Sequence, residues 1–165
     1  PGRRAIVKNP PEVTLLPGER LDALGRDGLW IIQNPRMLRF TTDSYLLAAF
    51  ARPAPDQTVL ELGSGSGAVL LLLAQRTQAI RLVGLEIQPA LVGMAQRNIG
   101  LNGLTGRVEI LHQDLREPAE LKPGAFDLVV ANPPYITAGA GCQSPHDPLA
   151  LAKHELTCKI GRAHV

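Results

Sequence analysis

The stretch Thr58-Val-Leu-Glu-Leu-Gly-Ser-Gly-Ser-Gly67 leads from a short β-branched segment into a glycine-rich loop, and an apolar run begins directly after it at Ala68. This order predicts a buried strand, a tight loop and a helix. Glycines lack a Cβ, so the loop can adopt positive φ and a ligand can approach its backbone closely. The first N–H groups of a helix have no partners within it, so the stretch predicts a site for a nucleotide-like or anionic ligand.

Short apolar segments and helical segments continue to alternate after this loop. Such alternation is typical of an α/β fold, in which a mostly parallel sheet is flanked by crossover helices. Because the carboxyl ends of parallel strands share one edge, ligand-binding residues are expected there. We predict four strands, Thr58–Leu62, Arg81–Glu86, Arg107–His112 and Phe126–Ala131, and two helices, Ala68–Arg76 and Pro89–Gly100.

Acidic residues mark three successive strand ends. Glu61 heads a GxGxG loop, which differs in spacing from the GxGxxG dinucleotide fingerprint. Glu86, at the end of the second strand, can accept both hydroxyls of a ribose. Asp114, past the third strand, can accept a hydrogen bond from an adenine amine, while Leu115 offers a backbone N–H and Ile87 can pack on the adenine. Any one of these acids alone could be an ordinary surface charge; together they predict an adenosine-containing cofactor.

The fourth predicted strand runs into Asn132-Pro133-Pro134-Tyr135. A conjugated amino nitrogen is a poor nucleophile until hydrogen-bond acceptors hold its NH₂ group. The Asn132 side-chain oxygen and the Pro133 carbonyl can act as these acceptors, and two prolines stiffen the loop that carries them. Tyr135 can stack on a planar target. The alternative is a simple Pro-Pro turn after a strand.

The N-terminal third divides into a proline-rich, flexible or extended lead-in over residues 1–18 and a strand and helix segment over residues 19–56. Leu29–Gln33 is predicted to be a strand that can pair with Leu38–Thr41 in a small hairpin. Thr42 or Asp43 can cap the following helix. Tyr45, Leu46, Ala49 and Phe50 share one face of that helix and are its predicted apolar face.

Charge and composition limit the class of protein. The net charge of the chain is +2. Residues 1–40 hold seven basic and four acidic side chains, which gives this segment a charge of +3. This basic segment could contact phosphates or simply be solvated. We find no bilayer-length apolar run and no paired-cysteine spacing, so we expect a soluble cytoplasmic protein without a metal.

The C-terminal part is unusual for such a sheet. After Tyr135 come a glycine- and proline-rich loop and a short helical stretch near Leu149–Leu156. We therefore interpret residues 57–159 as a domain whose last strands are missing, and residues 160–165 as a non-native tail.

With these motifs in place, residues 19–155 resemble class I methyltransferases with an Asn-Pro-Pro-Tyr motif, and more specifically the bacterial family that methylates adenine N6 beside the anticodon of a valine tRNA. Two segments outside the generic motifs carry the specific resemblance: Glu19-Arg-Leu-Asp-Ala-Leu, and Ile31-Ile-Gln-Asn-Pro35 through Phe40-Thr-Thr-Asp-Ser44-Tyr-Leu-Leu. The others are Val83-Gly-Leu-Glu-Ile-Gln-Pro89, the Asn-Pro-Pro-Tyr motif with Gly139-Ala-Gly, and Lys153-His-Glu155.

The resemblance implies a Rossmann-like fold, S-adenosyl-L-methionine as cofactor and a tRNA substrate. Asn132 to Tyr135 would hold the target amine, and Thr42 and Asp43 would pack over the cofactor. The implied cofactor-binding residues are Glu61, Gly63, Gly65, Gly67, Glu86 and Asp114.

Three functions remain open. The first is tRNA adenine-N6 methylation, by a protein that is a monomer when complete. The second is N5-methylation of a glutamine in a protein such as a release factor, since Ile136 after the motif is also found in those enzymes. The third is a cofactor-binding fragment without turnover.

Overall fold

The computed structural model describes residues 9–25, 28–37, 40–116, 121–122 and 124–133. Strands and helices alternate from Thr58 to His112, which confirms the α/β class. The elements in chain order are β1 (Arg20–Leu24), β2 (Leu29–Gln33), α1 (Thr42–Phe50), β3 (Thr58–Leu62), α2 (Ala68–Arg76), β4 (Arg81–Glu86), α3 (Pro89–Leu101), β5 (Val108–His112) and β6 (Leu128–Ala131).

Four strands form a parallel sheet in the order β5-β4-β3-β6. The chain starts in the middle at β3, moves outward through β4 and β5, and returns to the other side of β3 as β6. The order therefore reverses between β3 and β6, where open α/β sheets bind ligands. All four predicted strands are confirmed, although the last two begin at Val108 and Leu128 rather than at Arg107 and Phe126.

The two faces of this sheet carry separate apolar clusters. Val59, Leu82 and Val108 belong to the larger cluster, which also contains the buried side of α2. Leu60 and Val83 belong to the smaller cluster on the other face. Side chains alternate along a strand, so Glu61, two residues after Val59, lies on the helix-covered face.

The N-terminal hairpin differs from the prediction. Leu29–Gln33 is a strand, but it pairs antiparallel with Arg20–Leu24 and not with residues 38–41. Phe40 and Thr41 are outside any strand, and residues 38–39 lie outside the described residues. Gly25 and Gly28, both at φ 78°, flank the turn between the strands and make the reversal possible.

Two asparagines of α3 hold this hairpin. The Asn102 side chain accepts from the Trp30 N–H (3.0 Å) and donates to the Trp30 carbonyl (2.7 Å). Asn98 makes the same pair of bonds to Ile32, at 2.6 and 3.0 Å. Four residues along a helix span about 6 Å, and two residues along a strand span about 6.7 Å. Because these distances are similar, the side chains of Asn98 and Asn102 can each reach one of two alternate residues of β2.

The helix predicted after the hairpin is confirmed as α1, but its cap and its buried face differ from the prediction. Thr41, not Thr42 or Asp43, is at the N-cap, and it makes no side-chain capping bond. The buried residues are Ser44 and Ala48. Leu46 is 62% exposed and Phe50 87% exposed, so the predicted apolar face is wrong. The helix is rotated from the predicted orientation by about one residue, or roughly 100°, which places the short side chains against α2.

Hydrogen bonds at the amino edge of the sheet connect its strands to each other and to α2. The Arg107 guanidinium donates to the carbonyls of Ala74, Thr77 and Ala79 at the end of α2 (2.6–2.9 Å). The Asp127 carboxylate accepts from the Thr58 N–H and hydroxyl, which joins the start of β6 to the start of β3. These bonds lower the pKa of Asp127.

None of the helices in the described ranges is both long enough and apolar enough to span a membrane.

Gly84, in the middle of β4, should tolerate no larger residue. A Cβ there would lie 2.1 Å from the Ser64 hydroxyl oxygen, 2.6 Å from Ile110 Cδ1 and 2.8 Å from Leu70 Cδ1. We expect Gly84→Ala to lower the free energy of unfolding in urea by about 1–3 kcal/mol, as overpacked cores do. Gly93→Ala in α3 is the matched control, since a Cβ there meets nothing within 4 Å. It should raise stability by about 0.4–1 kcal/mol; equal effects of both variants would contradict the packing role of Gly84.

Candidate functional site

The glycine loop lies at the carboxyl end of β3 and leads into α2. Gly63, Gly65 and Gly67 have φ of 70°, 56° and 83°, in the left-handed region that other residues avoid. The Ser64 N–H donates to the Leu85 carbonyl at 2.9 Å, which joins the loop to β4. Gly67 is the N-cap of α2, so the free N–H groups of that helix face the same end of the sheet.

Glu86 ties this loop to the next one. Its Oε2 accepts from the Gly65 N–H and its Oε1 from the Gln88 N–H, both at 2.9 Å. The side chain is buried, and burial raises the pKa of Glu86, while the bonds from Gln88 and Gly65 act in the opposite direction. One carboxylate therefore orders the loops before α2 and α3.

Glu61 carries one of three buried side-chain polar atoms that have no hydrogen-bond partner in the described part of the chain; the others are Trp30 Nε1 and Gln33 Oε1. The residue is 2% exposed, and its Oε2 has no hydrogen-bond partner. Burial raises the pKa of Glu61 well above its usual range, a hydrogen bond from Ser64 opposes this, and the nearby Glu86 raises the pKa further. Such an acceptor is costly in the folded protein unless a ligand supplies the donor.

Asp114 lies two residues beyond β5, with its carboxylate engaged by Arg116. The Arg116 N–H donates to it at 2.9 Å and the guanidinium forms an ion pair with it. The hydrogen bond from the Arg116 side chain lowers the pKa of Asp114. Leu115 packs its side chain against the smaller apolar cluster, and Ile87 is half-buried directly after Glu86.

The strand register brings the predicted residues to one edge. Leu62 lies opposite Leu85 on one side and Ala131 on the other, so Gly63, Glu86 and Asn132 share the next row. Glu86 in turn lies opposite His112, two residues before Asp114. Three interstrand spacings of about 4.8 Å give about 14 Å from β5 to β6, room for one extended ligand.

The target-amine motif is only half within the described residues. Asn132 and Pro133 are half-buried at the end of β6, while Pro134 and Tyr135 lie outside the described ranges. Thr42 and Asp43 form the exposed first turn of α1, which packs on α2. Contact with a ligand or target stays a prediction for every predicted site residue, including the loop glycines, Glu61, Glu86 and Asp114.

Two residues of the site escaped the sequence analysis. The first is Gly84, whose missing side chain leaves the space that the Ser64 side chain occupies. The second is Asn98, which is fully buried and donates to the Ser66 carbonyl in the glycine loop at 3.0 Å. Asn98 had a detectable signal: with Leu91 and Ala95 it lies on the apolar face of α3, where an amide must have partners. A glycine inside an apolar strand is the corresponding signal for Gly84.

Among the residues that the structure describes, no group of three or more His, Cys, Asp or Glu side chains could hold a metal ion.

Comparison with known proteins agrees with this geometry. Residues 40–157 match the family model "Methyltransferase small domain". A Haemophilus influenzae (strain PittEE) protein called tRNA1(Val) (adenine(37)-N6)-methyltransferase is 34% identical over 121 residues, which cover 73% of this chain and 52% of that protein. A Pasteurella multocida (strain Pm70) protein of the same name is 36% identical over 114 residues, 68% of this chain and 48% of that protein. The chain thus spans about half the length of these relatives.

Two solved structures share the fold. The complex of aTrm5 and tRNALeu superposes with a TM-score of 0.57 at 17% identity, covering 72% of this chain and 33% of that one. The structure of TYW2 of P. horikoshii in complex with MeSAdo superposes with a TM-score of 0.52 at 20% identity, covering 61% of this chain and 38% of that one. These matches confirm the Rossmann-like fold. The family match confirms the predicted methyltransferase class with S-adenosyl-L-methionine as its cofactor, and the chain belongs to the methyltransferase small domain family.

Proposed function

We propose that the complete protein transfers a methyl group from S-adenosyl-L-methionine to N6 of an adenine in tRNA, namely the adenine beside the anticodon of a valine tRNA. The observation that carries this proposal is the position of Asn132 and Pro133, beside the glycine loop at the switch point of the sheet. The names of the relatives at 34% and 36% identity support the choice of tRNA.

The residues at this edge fit the cofactor. The unpaired, buried Oε2 of Glu61 is an acceptor suited to the ammonium of the methionine part. The free N–H groups at the start of α2 suit its carboxylate. Glu86 would accept from the ribose hydroxyls, and Asp114 from the adenine amine.

The transfer needs a positioned amine more than a strong base. When bound, S-adenosyl-L-methionine supplies an electrophilic methyl group on a sulfonium sulfur. The Asn132 side-chain oxygen and the Pro133 carbonyl accept from the two N–H bonds of the amine and aim the nitrogen lone pair at that carbon. The cofactor would supply the methyl group and would keep, as a neutral thioether, the electron pair of its broken sulfur–carbon bond, and the amine would release one proton to solvent. Prior alignment supplies most of the rate.

Access of an adenine to this edge requires that the base leave its stack. Tyr135 would then stack on the flipped base, and the basic residues within residues 1–40 would contact phosphates. A tRNA substrate also assigns the protein to the cytoplasm.

The second candidate is N5-methylation of a protein glutamine, which Ile136 after the motif favours. A carboxamide nitrogen is conjugated as the adenine amine is, so the same two acceptors would serve it.

One labelling experiment distinguishes a tRNA substrate from a protein substrate. The complete protein, methyl-labelled cofactor, bulk tRNA and a release factor are incubated together, and the label is followed into RNA and protein. We expect label on tRNA, recovered as N6-methyladenosine after digestion. Label on the release factor alone would refute the RNA assignment and support the second candidate.

Asn132→Ala in the complete protein should separate transfer from cofactor binding. Loss of one preorganised hydrogen-bonding group typically lowers turnover by about 100- to 1000-fold. We expect a loss of that size in kcat, with the Kd for S-adenosylhomocysteine within about twofold of wild type by calorimetry. Turnover at the wild-type rate would disprove the role of Asn132.

Glu61→Gln tests the acidic residue through the pH dependence of stability. Because the folded protein holds the Glu61 proton more tightly than the unfolded chain, wild-type stability should fall as pH rises beyond the point where an ordinary glutamate ionises. Glutamine cannot ionise, so the stability of the variant relative to wild type should rise with pH above about pH 5 in urea denaturation. The variant should also bind the cofactor more weakly. Glu86, Asp114 and Asp127 are present in both proteins. Parallel pH curves would contradict the burial of a proton at Glu61.

A further inference from the structure

We infer that Asn98 is a positioning residue for the cofactor, because it couples the N-terminal hairpin to the glycine loop. This inference rests on the proposed cofactor site and goes beyond it. No atom of Asn98 needs to touch the cofactor.

The Asn98 carboxamide lies between three backbone groups. Its Oδ1 accepts from the Ile32 N–H at 2.6 Å, and its Nδ2 donates to the carbonyls of Ile32 and Ser66, both at 3.0 Å. Both amide protons are used, and only one orientation of the carboxamide satisfies all three groups. The residue is fully buried, so water cannot replace any of these partners.

The bond to Ser66 controls the part of the loop that presents N–H groups. Fixing the Ser66 carbonyl fixes the planar peptide between Ser66 and Gly67, the N-cap of α2. Glu86 holds the loop one residue earlier, through the Gly65 N–H. Side chains therefore hold two alternate peptides of the loop: Glu86, from the sheet, holds the Ser64–Gly65 peptide, and Asn98, from α3, holds the Ser66–Gly67 peptide.

The bonds to Ile32 extend this control to the hairpin. Loss of Asn98 would free the Ser66 carbonyl and also both Ile32 backbone groups, whereas Asn102 bonds only to Trp30 and to the Asn98 carbonyl. Asn102 therefore supplies the matched control. It sits one turn later on the same helix and holds the same strand without a bond to the loop.

The test compares Asn98→Ala with Asn102→Ala in the full chain, using S-adenosylhomocysteine as the probe. Both variants should lower the urea midpoint, since each leaves buried backbone groups without partners. Only Asn98→Ala should raise the Kd measured by calorimetry, by about tenfold, at a temperature where both variants are folded. Asn102→Ala should bind within about twofold of wild type.

Equal Kd values for Asn98→Ala and wild type would overturn the inference, as would an equal loss of affinity in both variants. Wild-type protein that does not bind the probe would instead refute the proposed cofactor site, and the inference with it.

A second measurement on wild-type protein applies even if Asn98→Ala does not fold. Binding of the probe should slow hydrogen exchange of the Ile32 amide, which Asn98 links to the loop, more than that of the Trp30 amide, which Asn102 holds. Equal slowing at the two amides would overturn the inference.

Discussion

The candidate site depends on one buried carboxylate. Glu86 accepts from the backbone N–H groups of Gly65 and Gln88, so a single side chain at the end of β4 orders the loops that open α2 and α3. Substitutions other than to proline leave a backbone N–H in place, so this arrangement depends on the acid and on a glycine that adopts positive φ. The unpaired oxygen of Glu61 then lies beside an already ordered loop. The fold thus places an unpaired carboxylate oxygen next to a loop whose backbone is already held in place.

The strands and the loop could be predicted from sequence because local chemistry specifies them. Apolar runs of five or six residues separated by helices leave few alternatives to a parallel sheet, and the glycines mark the one turn that needs positive φ. Helix α2 was predicted with its observed bounds, Ala68–Arg76. The convergence of Glu86, Gly63 and Asn132 at one edge follows from strand direction alone.

The sequence-based predictions failed where contacts between residues distant in the sequence determine the structure. The hairpin partner of Leu29–Gln33 was wrong because Arg20–Leu24 carries charge and lacks β-branched residues, and its pairing depends on a turn with two glycines. The face of α1 was wrong because helical spacing shows which residues share a side, not which side packs; small Ser44 and Ala48 allow close approach to α2. The position of Asn98 on the apolar face of α3 signals that its amide is buried and has partners, but those partners are three backbone groups, which the sequence does not identify.

Hydrogen bonds from polar side chains connect the elements of the sheet at both its amino edge and its carboxyl edge. Arg107 and the Thr58–Asp127 pair lie at the amino edge, far from the row that contains Glu86 and Asn132. Mutations at sites that share no partners combine almost independently. Substitutions at the amino edge can therefore accumulate, or restore stability lost elsewhere, without altering what the opposite edge recognises.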